Sequence, residues 1–146
     1  CAADQVPAAL LAADLDHFKA VNDTYGHAVG DAIIAAFGAH VRAVGPPGMV
    51  AGRIGGEEFA ILVPGAGVET GRQLAETIRG GLQAACADRI PAALCPTTCI
   101  GISVGTAGAA LSQLMQQADQ ALYDAKRTGR DCVRTFTPTV IRAARA

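Results

Sequence analysis

Two pairs of carboxylates stand out in the chain: Asp14 with Asp16, and Glu57 with Glu58. Residues two apart on an extended strand share a face, so Asp14 and Asp16 point the same way if they end a strand. Each pair alone has an ordinary reading. Asp14 and Asp16 suit a solvated strand end, with Asp16 capping a following helix. Glutamates at a turn are usually solvated. Gly55 and Gly56 precede the second pair, and they either satisfy a tight turn or let a bulky ligand approach bare backbone. Together the pairs say more. If the first strand lies beside the hairpin, Asp14 and a glutamate converge on a hard oxygen site suited to Mg²⁺. That ion takes few protein carboxylates and completes its shell with substrate phosphates. The chemistry would be metal-assisted phosphoryl transfer.

The elements that must position these residues follow from patterning. Val6 to Leu15 is a short apolar run ending in carboxylates and predicts a buried strand. Phe18 to Tyr25 predicts a short helix stopped by Gly26. Asp31 to Val44 carries Ile33, Ile34, Phe37 and Val41 at helical spacing, and Pro46-Pro47-Gly48 breaks the chain after it. Met49 to Ile54 and Phe59 to Val63 predict a hairpin, with Gly55 and Gly56 supplying positive φ at its turn. Glu69 to Cys86 and Leu111 to Arg127 predict amphipathic helices, and Thr97 to Val104 and Cys132 to Phe136 predict strands. The tail from Pro138 predicts a frayed end or a lone helical turn. Strand–helix alternation is too sparse for a doubly wound sheet. The expected class is α+β: a central mixed, mostly antiparallel sheet with helices on its faces.

Bulk properties narrow the function. The length of 146 residues suits one domain, 1–146, and a hydrophobic fraction of 51% supports a packed core. The net charge of -1 and the lack of a basic stretch argue against a nucleic-acid partner. The five cysteines include only one close pair, Cys95 and Cys99, and no zinc set. Free thiols in a reducing cytoplasm are expected, and the domain could still be tethered to a membrane protein. No apolar run is long enough to span a bilayer, and Cys1 to Ala13 lacks the basic start of a signal peptide.

The chain resembles the GGDEF-type diguanylate cyclases. Asp14-Leu15-Asp16-His17-Phe18-Lys19, Asn22-Asp23, Gly26-His27 and Gly30-Asp31 resemble the family's first signature. Arg53-Ile54-Gly55-Gly56-Glu57-Glu58-Phe59 is similar to the signature loop in its Glu variant. Ser103-Val104-Gly105, Ala118-Asp119, Ala121-Leu122-Tyr123, Ala125-Lys126 and Gly129-Arg130 resemble its C-terminal elements. The resemblance runs from about Ala8 to Val133. It implies a nucleotidyl cyclase or polymerase palm fold and the condensation of two GTP into cyclic di-GMP, releasing two pyrophosphates. Asp14 and Glu57 by side chain, and Leu15 by its carbonyl, are implied to hold Mg²⁺, with Mn²⁺ as an alternative. Glu57 is also implied in deprotonating the attacking 3′-hydroxyl, directly or through a water.

The same resemblance implies phosphate contacts from Lys19, from backbone N–H groups near His17 and Phe18 at a helix start, and from Lys126 and Arg130. Asn22 and Asp31 are the implied guanine readers, since a carboxylate accepts from guanine N1–H and the exocyclic amine together. Adenine lacks that pair of donors. His27 either lies near the base or ribose or is a helix-start histidine bonded to backbone. Glu58 is expected to orient the loop through a backbone hydrogen bond. Arg53 is expected to pair with a carboxylate or a partner subunit, or to be a plain surface arginine. Catalysis needs two protomers, each holding one GTP, so a homodimer is expected, together with a sensory or regulatory domain outside this chain.

Two departures from the family pattern matter. Where many members carry an inhibitory Arg-x-x-Asp product site, this chain reads Pro46-Pro47-Gly48-Met49, so no product inhibition is expected there. The family's usual N-terminal segment and helix do not appear ahead of Cys1, so either the sequence is part of a longer protein or the protein is atypical, and a missing helix would expose core surface. Two other readings compete: a catalytically silent module that binds GTP or a protein, and a related nucleotidyl cyclase or polymerase palm. The retention of Asp14, Lys19, Asn22, Asp31, Gly55, Gly56 and Glu57 favours the enzyme.

Overall fold

A computed structural model describes residues 6–106 and 108–137. The tail from Pro138 lies outside them. The elements are β1 (Pro7–Leu15), α1 (Phe18–Tyr25), α2 (His27–Val44), β2 (Val50–Arg53), β3 (Glu58–Pro64), α3 (Val68–Cys86), β4 (Thr98–Thr106), α4 (Leu111–Arg127) and β5 (Val133–Thr135). The strands form one sheet in the order β2-β3-β1-β4-β5. All neighbours pair antiparallel except β4 and β5, which run parallel. The architecture is the α+β class with a mixed, mostly antiparallel sheet.

β1 is the central strand because its alanines and leucines are apolar on both faces. Ala9, Leu11, Ala13 and Leu15 join the larger core with Ile33 and Phe37 of α2 and Ile78 and Leu82 of α3. Leu10 and Ala12 join the smaller core with Leu114, Ala118, Leu122 and Ala125 of α4. This period of two puts Asp14 on the α4 side of the sheet. The second face is covered by α4 alone. Beside it an apolar cleft of about 370 Å³ opens, lined by residues including Leu10, Ile54, Leu62, Leu111 and Met115.

α4 seats directly on β4. A Cβ on Gly101 would stand 2.2 Å from the Ala118 carbonyl oxygen and 2.3 Å from the Leu122 nitrogen. Only glycine permits this approach. Ser103 adds a hydroxyl hydrogen bond of 2.7 Å to the Leu114 carbonyl.

Two expectations need correction. α2 begins at His27, one turn earlier than the apolar spacing from Asp31 suggests. Gly26, at φ 93°, is the whole break between α1 and α2, and the first turn of α2 needs no apolar stripe because it is largely exposed. Second, Gly55 and Gly56 do not carry the positive φ expected of a tight turn; the glycines that do are Gly26, Gly48, Gly65 and Gly129. The loop is longer than a two-residue turn, since the β2–β3 pairing ends at Arg53 and Phe59, and its bend is spread over ordinary backbone.

Candidate active site

The β1–β3 register sets Asp14 opposite Glu58. The ladder continues one step further, where the Leu15 N–H donates to the Glu57 carbonyl at 3.2 Å. The two carboxylate pairs of the sequence therefore meet at one end of the sheet. Asp14 is 6% exposed. Its Oδ2 accepts from Lys126 Nζ at 2.5 Å, across from the last turn of α4. Glu57 is half-buried and Glu58 exposed. Among the described residues no three His, Cys, Asp or Glu side chains gather as a metal cluster.

Asp16 behaves differently from the helix cap its position suggests. The N-cap of α1 is His17, in the left-handed region at φ 54° with no side-chain capping bond. Asp16 turns inward instead. Its carboxylate accepts from Thr97 Oγ1 at 2.8 Å, Cys99 Sγ at 2.9 Å and the Asp131 backbone N–H at 2.9 Å. Arg130 Nη1 lies 4.0 Å away. Burial first, and then the hydrogen bond and charge of Asp16, push the Cys99 thiol up to about 12. Cys99 therefore stays a protonated donor. Asp16 ties β1 to the turn after α4, where Gly129, Arg130 and Asp131 all have positive φ. Composition gave no sign of this hub; its only signal was the spacing of two from Asp14.

The chain matches the family described as diguanylate cyclase, GGDEF domain, over residues 1–132. It belongs to the GGDEF family. It is 39% identical over 123 residues to diguanylate cyclase DgcP of Pseudomonas aeruginosa, covering 84% of this chain and 18% of that protein. It is 38% identical over 127 residues to diguanylate cyclase VdcA of Vibrio cholerae, covering 85% and 38%. The chain thus spans well under half of these relatives. Among solved structures it is similar to the active GGEEF domain of a Vibrio cholerae diguanylate cyclase, with TM-score 0.81 and 31% identity over 91% of this chain and 85% of that one. It is also similar to the GGDEF domain of DgcB from Caulobacter crescentus in complex with c-di-GMP, with TM-score 0.80 and 32% identity over 88% and 77%.

The GGDEF signature loop is held from below. Arg53 Nε donates to the carbonyls of Gly55 and Gly56, each at 3.1 Å, and Nη2 donates to Gly56 at 2.8 Å. Among the described residues Arg53 pairs with loop carbonyls rather than with a carboxylate. The Glu58 carbonyl closes the loop by accepting from Ile54 N–H at 2.8 Å and Gly55 N–H at 3.3 Å. The Glu58 carboxylate lies against Gly55, where a Cβ would stand 2.6 Å from its Oε1. Around Gly56 a Cβ would meet nothing within 4 Å.

The rest of the first GGDEF signature lies on α1 and α2 and the turn between them. Asn22 packs against Gly30, where a Cβ would fall 1.9 Å from Asn22 Oδ1. That oxygen is buried and has no hydrogen-bond partner. Asp31 follows Gly30 and is exposed, and His27 is exposed at the first residue of α2. Phe18 opens α1 and is half-buried against the larger core. Lys19 is not drawn to Asp14. It pairs with Asp23 at 3.0 Å on an open surface.

Proposed function

We propose that this domain is a diguanylate cyclase, condensing two GTP into cyclic di-GMP across a site completed by a second copy of the chain. The observation that carries this reading is the register of β1 against β3, which sets Asp14 beside the Glu57–Glu58 loop tip. In each half-reaction a 3′-hydroxyl attacks the α-phosphate of the opposite GTP. The new ester bond forms as the bond to pyrophosphate breaks, and two pyrophosphates leave in all. Mg²⁺ held by Asp14, Glu57 and the Leu15 carbonyl would supply charge neutralisation and a more acidic hydroxyl.

The chain's own groups do the rest. Glu57 receives the hydroxyl proton, directly or through a water. Lys126 and Arg130, at the end of α4, take the terminal phosphates. The exposed Lys19–Asp23 pair is worth under about 1 kcal/mol, so Lys19 is free to turn toward the triphosphate. The N–H groups at the start of α1, behind the left-handed His17, suit phosphate oxygens. The buried, unpartnered Asn22 Oδ1 is an acceptor awaiting a donor, as a guanine edge provides. Asp31, one residue beyond the glycine that Asn22 packs against, accepts from N1–H and the exocyclic amine together.

The test is direct. Purified protein incubated with GTP and Mg²⁺ should yield cyclic di-GMP by mass spectrometry. Glu57→Gln should lower the rate by about 10²–10³-fold while leaving the fold intact. A demonstrated dimer that binds GTP and forms no product would replace this reading with a silent binding module.

A further inference from the structure

Two basic side chains that the proposed function assigns to phosphates rest on carboxylates in the free domain. Arg130 stands 4.0 Å from Asp16, and Lys126 stands 2.5 Å from Asp14. The two pairs are not equivalent. Asp16 keeps three other donors, from Thr97, Cys99 and Asp131, so it loses little when Arg130 swings away. For the Asp14 carboxylate, Lys126 is the side-chain donor among the described residues. The Asp14 side chain is 8% exposed and that of Lys126 is 32% exposed. A buried carboxylate is costly without a counter-charge.

We infer that Lys126 is the resident counter-ion of Asp14, and that the divalent metal and the triphosphate therefore enter together rather than metal first. This rests on the reading of Asp14 as a metal ligand. A divalent cation on either oxygen of Asp14 would stand close to Nζ, which holds Oδ2, and the two cations repel each other, so metal binding works against the Lys126 contact. In the free domain Asp119 feels the Lys126 charge, but among the described residues the ammonium forms an ion pair only with Asp14, so the exchange is unfavourable. A triphosphate supplies another partner. Lys126 passes from Asp14 to the phosphates as the metal takes Asp14, and each ligand raises the affinity of the other by the same factor. The helix that carries Lys126 is seated closely on β4 at Gly101 and tied to it by the Ser103–Leu114 hydrogen bond.

Mn²⁺ binding followed by electron paramagnetic resonance tests this, with and without a GTP analogue whose α,β bridge is non-hydrolysable. Lys126→Met should bind Mn²⁺ alone about tenfold more tightly than wild type, and the gain in Mn²⁺ affinity on adding the analogue should shrink by a similar factor. Arg127→Met, which removes the same charge one residue along the helix, should change Mn²⁺ affinity less than about twofold. A Lys126→Met protein that binds Mn²⁺ no more tightly than wild type, or no more tightly than Arg127→Met, overturns the inference. Wild type that fails to bind Mn²⁺ even with the analogue overturns the reading of the metal site instead. If Lys126→Met does not fold, the side-chain ammonium resonance of Lys126 in wild type decides. It should hold its position under Mg²⁺ alone and shift once the analogue is added. A shift under Mg²⁺ alone at the same concentration overturns the exchange.

Discussion

Gly56 carries an ordinary φ and open space where a side chain would go. Nothing in the protein itself therefore demands glycine there. Gly55 differs, since a Cβ there would press on the Glu58 carboxylate. The proposed function supplies a reason for Gly56: a nucleotide that approaches its backbone. Gly56→Ala is expected to keep or slightly raise stability, by up to about 1 kcal/mol, because it restricts the unfolded chain. GTP affinity measured by calorimetry should nonetheless fall by about tenfold or more, since a methyl group would stand where a phosphate approaches. Unchanged GTP affinity would mean that no ligand approaches this residue.

At the scale of elements, α4 is what connects the carboxylate end of β1 to the basic groups. Its small buried residues, Ala118, Ala121 and Ala125, let it lie close to the sheet, and Gly101 sets the closest point. Gly101→Ala would drive a methyl into helix backbone, which has no rotamer to yield. A cost of about 1–3 kcal/mol is expected, read as a lower melting temperature. Because Lys126 sits about one turn beyond Leu122's contact point, the same substitution should weaken GTP binding even below the melting transition. A variant with normal stability would show that α4 can shift on the sheet. Arg79 extends the same frame, bonding Glu76 at 2.6 Å and Asp131 at 2.9 Å, which links α3 to the turn that carries Arg130. Those two carboxylates raise the Arg79 guanidinium pKa, against a smaller opposing effect of burial.

For the whole molecule, one domain presents one Asp14–Glu57 corner, which the proposed reaction makes half a site. Specific activity is therefore expected to rise with protein concentration while association is weak. Activity that stays flat on dilution, in a protein sized as a monomer, would contradict the two-copy site. The same assay addresses feedback. The turn before β2 consists of exposed Pro46, Pro47 and Gly48 with half-buried Met49. It has no charged group to grip a phosphate and no carboxylate to grip a guanine. Added cyclic di-GMP should not inhibit through this turn. Inhibition that disappears when this turn is altered would show the reverse. Among the described residues no helix is long and apolar enough to cross a membrane.

The sequence by itself determined most of the elements, the fold class and the family. Strands and helices announced themselves through periodicity, which is local, and the bounds of α1 and α4 follow directly from apolar spacing and the glycines behind them. Residue type and placement pointed to Asp14 and Glu57, and the resemblance to the GGDEF family pointed to Asn22 and Asp31. Tertiary structure alone decided the contacts between distant segments. Asp16 meets Thr97, Cys99 and Asp131 across more than 80 positions, and Lys126 reaches Asp14 across 112. Such contacts depend on strand register and on how closely a helix can approach a sheet. Both are set by the packing of the whole core, which no local pattern encodes.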